Sequence, residues 1–227
     1  MTQRAEQILE RLQSLANPQN VAGMRRYGIN TNNTLGVSIY TLRPLAKEIG
    51  KDHALALELW KSGIHEARIL ACYIDDPKLV TEDQMERWAA DFDSWDVCDQ
   101  VCSSLFDQTA YAYLKAHQWS ERQEEFVKRA GFVLMAALAV HDKKAPDECF
   151  EAFLPIITRH ATDGRNFVKK AVNWALRQIG KRNQRLNELA IRTGEEIKQI
   201  DSPAARWIAA DALRELSSEK VQKRLQQ

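Results

Sequence analysis

Apolar residues recur at helical spacing along almost all of the 227-residue chain, while alternating β-branched runs bounded by turn residues are scarce. A period near 3.6 with little sign of a period of 2 predicts an all-α fold. Helices are expected at roughly 3–16, 41–49, 53–61, 65–74, 82–91, 95–106, 109–116, 121–140, 147–160, 165–181, 184–194 and 203–216. The least regular stretch is YGINTNNTLGVS, Tyr27 to Ser38, whose Asn, Thr and Gly content reads as a loop. It sets an N-terminal helix, with the loop about residues 1–38, apart from the remaining array.

Several of these helices share one pattern, a basic or polar entry followed by alanine and an apolar run: HEARILACYI, FVKRAGFVLMAAL, FVKKAVNWALRQIG and ARWIAADALREL. Aligning Ala67, Ala130, Ala171 and Ala209 gives gaps of 63, 41 and 38 residues, the first wide enough for an extra unit containing WDVCDQV. Units of about 40 residues predict a HEAT-like solenoid of paired helices, in which neighbours bury each other's apolar faces and the second helix of each pair lines the concave side. Ala130 to Val140 is apolar all round, as expected of a helix enclosed by its neighbours. No linker interrupts the pattern, so residues 1–227 read as a single repeat domain.

Composition narrows the setting. Four cysteines in a chain this long are too sparse for a disulfide framework, which favours a reducing compartment. The charged start MTQRAEQILERLQ lacks the apolar core of a signal peptide, and the longest apolar run falls short of the roughly 20 residues that span a bilayer. A soluble, cytoplasmic protein with no membrane partner is expected. The formal charge of +1 excludes a uniformly basic coat, yet it hides a split. Residues 75–107 hold ten acidic side chains against Lys78 and Arg87, and residues 164–187 hold seven basic ones and no acid. A local polyanion site is compatible with that split, and so is a solvated basic helix face.

Projected as a helix, the basic stretch puts Val168, Val172, Ala175 and Ile179 on one face and Lys170, Trp174, Arg177 and Lys181 on the other. A tryptophan among cations, away from the apolar face, suits a nucleic acid: the cations meet phosphates while the ring meets a base or sugar. A second constellation is DSWDVCDQV, residues 93–101. Ser94 stands where it would cap a helix starting at Trp95, and the four-residue step puts Asp99 on the Trp95 side, with Val97 and Val101 pointing inward. Asp96 is equally suited to the positive helix N-terminus, and Asp99 to an ion pair with a neighbouring helix. Cys98 and Cys102, one turn apart, fall short of a zinc ligand set, and the five histidines are scattered as surface or packing residues. No metal or organic cofactor is expected.

In this order the motifs resemble the DNA alkylation repair family of HEAT-like, AlkD-like DNA glycosylases over roughly residues 24–215. MRRYGI followed by LGV resembles the family's N-terminal tyrosine segment, and WDVCD its Trp-Asp-x-x-Asp signature. FVKRAGFVL and KKAVNWALRQIG resemble its two inner DNA-facing helices. The resemblance implies Asp99 as catalytic carboxylate, Trp95 and Trp174 as aromatic walls against the sugar, and Arg129 as a backbone contact. It further implies Tyr27 on the substrate side and Arg177 near the lesion, with Lys170 and Lys181 beside it on the basic face. The implied substrate is duplex DNA carrying N3- or N7-alkylated purines, attacked by a monomer that grips the backbone without a conventional base pocket. A non-catalytic module that binds DNA backbone or altered DNA shape, and a protein-binding scaffold, are the alternatives.

Overall fold

A computed structural model describes residues 1–226, and among them every regular element is helical. The chain is all-α, of the HEAT-like helical-repeat class, and divides into two compact units, Met1–Ala110 and Tyr111–Gln227.

The first unit contains α1 (Gln3–Ser14), α2 (Pro18–Arg26), α3 (Ile39–Ile49), α4 (His53–Lys61), α5 (His65–Ile74), α6 (Glu82–Ala90) and α7 (Trp95–Ser104), and a short 3₁₀ turn, Phe106–Gln108, follows. Helix α5 is the axis of this unit, packing on α3, α4 and α7. Its Ile69, Leu70 and Ile74 are buried, and each such side chain contributes roughly 1.5–3 kcal/mol of hydrophobic stabilisation. Trp60 and Trp88 stack with ring centroids 3.9 Å apart, and the Trp60 indole N–H donates to Asp91 at 2.8 Å, so this large aromatic pair leaves no polar atom stranded.

The Tyr27 to Ser38 segment is irregular, as its composition predicts, and is nonetheless well anchored. Glu66 on α5 is fully buried, and its carboxylate accepts the backbone N–H groups of Leu35 at 2.8 Å, Gly36 at 2.6 Å and Val37 at 3.2 Å. These donors have no helix or sheet to satisfy them, so the carboxylate takes that role. Gly36 has φ +79°, and a Cβ there would stand 2.2 Å from the Asn17 carbonyl oxygen. Glycine is therefore required at this position on both conformational and steric grounds.

The second unit contains α8 (Ala112–Ser120), α9 (Glu125–His141), α10 (Asp147–Glu151), α11 (Leu154–His160), α12 (Asn166–Gly180), α13 (Gln184–Lys198), α14 (Pro203–Leu216) and α15 (Glu219–Leu225). Every residue of α9 from Val127 to Ala139 is buried, which includes Lys128 and Arg129 and all but the last residue of the apolar stretch Ala130 to Val140. Helix α9 packs between α8 and α12, and Gly131 makes the first contact close: a Cβ there would fall 2.4 Å from the Ser120 backbone nitrogen. On α12 the predicted face of Val168, Val172, Ala175 and Ile179 is fully buried.

The helix over 147–160 expected from periodicity is divided into α10 and α11. Pro155 falls in the first turn of α11, where its missing N–H costs nothing; inside one longer helix it would break a hydrogen bond. The helix expected at 109–116 lies at Ala112–Ser120. Two helices have no counterpart among the expected ones. Helix α2 starts at Asn17–Pro18, a pair that also reads as a turn: the Asn17 side chain accepts the N–H groups of Gln19 and Asn20, and Pro18 opens the first turn. Helix α15 is seven residues capped by Ser218. None of the helices of the described residues is long and apolar enough to cross a membrane.

Candidate functional site

Helix α7 carries the first group of candidate residues. Val97, Cys98, Val101 and Cys102 are fully buried and anchor it to the core, which leaves Trp95 and Asp99 half-buried on the outer side. Burial pushes the Cys102 thiol well above its ordinary value, a neutral packing group. Ser94 occupies the N-cap position as expected, but its side chain does not cap the helix; its hydroxyl donates to Asp96 Oδ1 at 2.6 Å. The other Asp96 oxygen lies 2.8 Å from His65 Nε2 on α5. Burial works against the Asp96 charge, but the hydrogen bond and charge of His65 outweigh it and hold the carboxyl below the usual carboxylate range. In His65, burial opposes the imidazolium and the Asp96 bond and charge again prevail, raising the ring above its ordinary value.

The two carboxylates of the motif therefore stand in different environments. Asp96 is enclosed in a pair with His65, whereas Asp99, one turn on, is half-buried on the same face as Trp95. The Trp95 indole N–H donates to the Tyr27 carbonyl oxygen at 3.0 Å, which ties α7 to the loop and leaves the Tyr27 ring 73% exposed. Tyr27 and Trp95 are thus brought together within the first unit, with Asp99 one turn from Trp95 along α7. Beside them opens a groove of about 620 Å³ between α2, the loop, α5 and α7, with Met24, Ile29, Ile39 and Trp95 on its walls and His65 and Asp96 lining it. Glu66, His65 and Asp96 were not legible as site residues, because each acquires its role only from partners about 30 positions away.

The second unit carries the remaining candidates. Trp174 is half-buried and Lys170 exposed on α12. Arg177 and Lys181, on the same helix, converge on Glu215 of α14, Lys181 Nζ at 2.6 Å and Arg177 through a short charge-assisted hydrogen bond. Burial pushes the Glu215 carboxyl up, and these two cations more than offset it, leaving it lowered. Arg129 is 5% exposed, with its guanidinium donating to the Phe167 carbonyl at the start of α12. Lys169 lies over the Trp207 ring, 4.7 Å from its centroid. No cluster of three or more His, Cys, Asp or Glu side chains among the described residues could hold a metal ion.

The family model for DNA alkylation repair enzymes matches residues 8–216. The chain belongs to this DNA alkylation repair enzyme family. Relatives of this chain include an uncharacterized protein of Listeria innocua, 24% identical over 199 residues, with 86% of this chain and 87% of that one aligned. A second, of Listeria monocytogenes, is 26% identical over 131 residues, covering 56% of this chain and 58% of its own. Among solved structures, one from a family of proteins related to the HEAT-like repeat DNA glycosylases with affinity for branched DNA structures superposes with a TM-score of 0.76 at 21% identity. It covers 92% of this chain and 94% of its own. That likeness establishes the HEAT-like fold of this repair-family member.

Proposed function

We propose that this family member is a monofunctional DNA glycosylase that hydrolyses the N-glycosidic bond of positively charged N3- or N7-alkylated purines in duplex DNA and leaves an abasic site. The supporting observation is the placement on α7: Asp96 is paired with His65 in the interior, while Asp99 lies half-buried one turn from Trp95, whose indole N–H is bonded to the Tyr27 carbonyl. Alkylation gives the purine a positive charge, so it departs as a neutral base carrying the bonding pair, and little general acid is needed. As the bond between C1′ and the ring nitrogen breaks, positive charge passes to the sugar, giving an oxocarbenium-like state. Asp99 stabilises that charge and orients the water that adds to C1′, while the electron-rich face of Trp95 on the same helix flanks the sugar and Trp174 on α12 offers an aromatic face to the DNA. Lys170, Arg177, Lys181 and Tyr27 contact the strand, and Arg129 supports the backbone contact from beneath α12. The chemistry requires no metal or organic cofactor, and one copy acting in the cytoplasm suffices.

A second reading, a module that binds altered DNA shape without excision, draws on the structural relative with affinity for branched DNA. Incubation with methylated duplex DNA separates them. Wild type is expected to release free alkylated purine and Asp99→Asn to lose about 10²–10³-fold of that rate, the scale of removing one electrostatic stabiliser. Binding without any base release by wild type rejects the glycosylase reading.

A further inference from the structure

We propose that the groove of the first unit is a binding site for an unstacked nucleobase, separate from the Asp99 carboxylate and read by His65. The proposal rests on the DNA-binding reading above and not on excision. At about 620 Å³ the groove falls within the roughly 300–1,000 Å³ of small-molecule pockets, and its composition is theirs too: apolar walls with few polar groups. Trp95 lines it and Tyr27 borders it, so an entering base meets aromatic surface, and stacking of that kind is the usual sequence-tolerant means of holding single-stranded bases.

The polar reader is His65. It lines the groove yet is only 5% exposed, and of its two ring nitrogens Nε2 is committed to Asp96. Nδ1 makes no hydrogen bond to any described residue, which leaves it for the edge of a ligand. The Asp96 and Ser94 contacts fix the ring, so the hydrogen-bonding edge is held in place before a base arrives. Charge complementarity selects a nucleic acid as occupant: Arg25 and Arg26, both exposed, end α2, the helix that forms one wall.

The groove can be filled without disturbing the fold. Gly23 lines it from the middle of α2, and a Cβ built there meets nothing within 4 Å. Gly23→Leu puts a side chain into the opening and replaces glycine by a better helix former. The probe is a duplex with one bulged 2-aminopurine, compared with the fully paired duplex of the same length and with one bulging an abasic site. Wild type is expected to bind the 2-aminopurine bulge about tenfold more tightly than either control and to quench its fluorescence. Gly23→Leu, with a melting temperature no lower than wild type, is expected to lose both the preference and the quenching. An equal preference for the abasic bulge overturns the proposal, because shape rather than a base is then being read. A preference unchanged in Gly23→Leu, or none in wild type, also overturns it. Base release from methylated DNA is scored separately, so an inactive enzyme with an intact bulge preference rejects only the glycosylase reading.

Discussion

Replacing Glu66 tests whether one buried side chain holds the loop that borders the groove. Its carboxylate accepts three backbone N–H groups, two of them, from Gly36 and Val37, on residues that are themselves buried. In Glu66→Ala those two donors lose their partner with little access to water, while Leu35, half-buried, can recover one. Two stranded donors at roughly 1–3 kcal/mol each give about 2–6 kcal/mol of destabilisation. Glu66→Gln separates the contributions. Gly36 and Val37 share Oε1 and Leu35 alone uses Oε2, so an amide with its oxygen toward Gly36 keeps the two inner bonds and sets its NH₂ only against Leu35. The expected cost is about 1–2 kcal/mol, the loss of one bond at the wetter end. Urea denaturation gives the two free energies, and hydrogen exchange at residues 35–37 shows whether the loop loosens first. The reasoning is refuted if Glu66→Ala lies within about 0.5 kcal/mol of wild type, or if the amide costs as much as the truncation.

Two further expectations concern charge. Folding raises the His65 pKa, so its share of stability is present below the unfolded histidine value of about 6.5 and is lost as pH climbs through the folded value. Folding lowers the Asp96 pKa, so its share is present above about pH 3.9 and is lost as pH falls through the folded value. The stability gap between wild type and Asp96→Asn is therefore expected to be wider at pH 5.5 than at pH 8.5 in denaturant titrations, and an equal or reversed gap would contradict the pairing. Glu215→Gln releases Lys181 from its internal carboxylate and leaves Arg177 only the longer pair with Asp211 at 3.6 Å. If both then meet phosphates, the log–log salt dependence of duplex binding steepens by up to about 1.8, at roughly 0.9 per phosphate neutralised; an unchanged slope removes them from the interface.

Local periodicity carried much of the fold. Helices α4, α5 and α14 fall where the 3.6-residue pattern puts them, because each buries a continuous apolar face. The inward positions of Val97 and Val101 on α7 follow from the same spacing. Errors arise where one residue type has two meanings. Asn17–Pro18 serves both turns and helix starts, and only the Asn17 cap bonds decide between them. Ser94 has the position of a cap but gives its hydroxyl to Asp96, because a buried carboxylate facing His65 competes for it. His65 itself is one of five scattered histidines in sequence, and its partner lies 31 residues away. Within the candidate site, the exposure of Trp95 and Asp99 on the side opposite Val97 and Val101 was legible from helical spacing, whereas the pairing of Asp96 with His65 was not.

The seven cations between residues 164 and 187 show why a charge count along the chain overstates the charge free in space. Arg165 is bound to Asp163, Arg185 reaches Glu151, Arg177 and Lys181 share Glu215, and Lys169 lies on Trp207. Lys170 stays exposed. In the proposed function, DNA must therefore exchange phosphates for carboxylates that these cations already hold, and the net gain per contact is smaller than for a lysine in open water. Binding to undamaged duplex is weakened most, since it offers phosphates and nothing else. A strand that also places a sugar against Trp174 gains a contact the carboxylates cannot supply. In the proposed function, internal pairing of the basic helix thus shifts discrimination from charge, which every stretch of DNA carries, to the aromatic contact that Trp174 makes from the same helix.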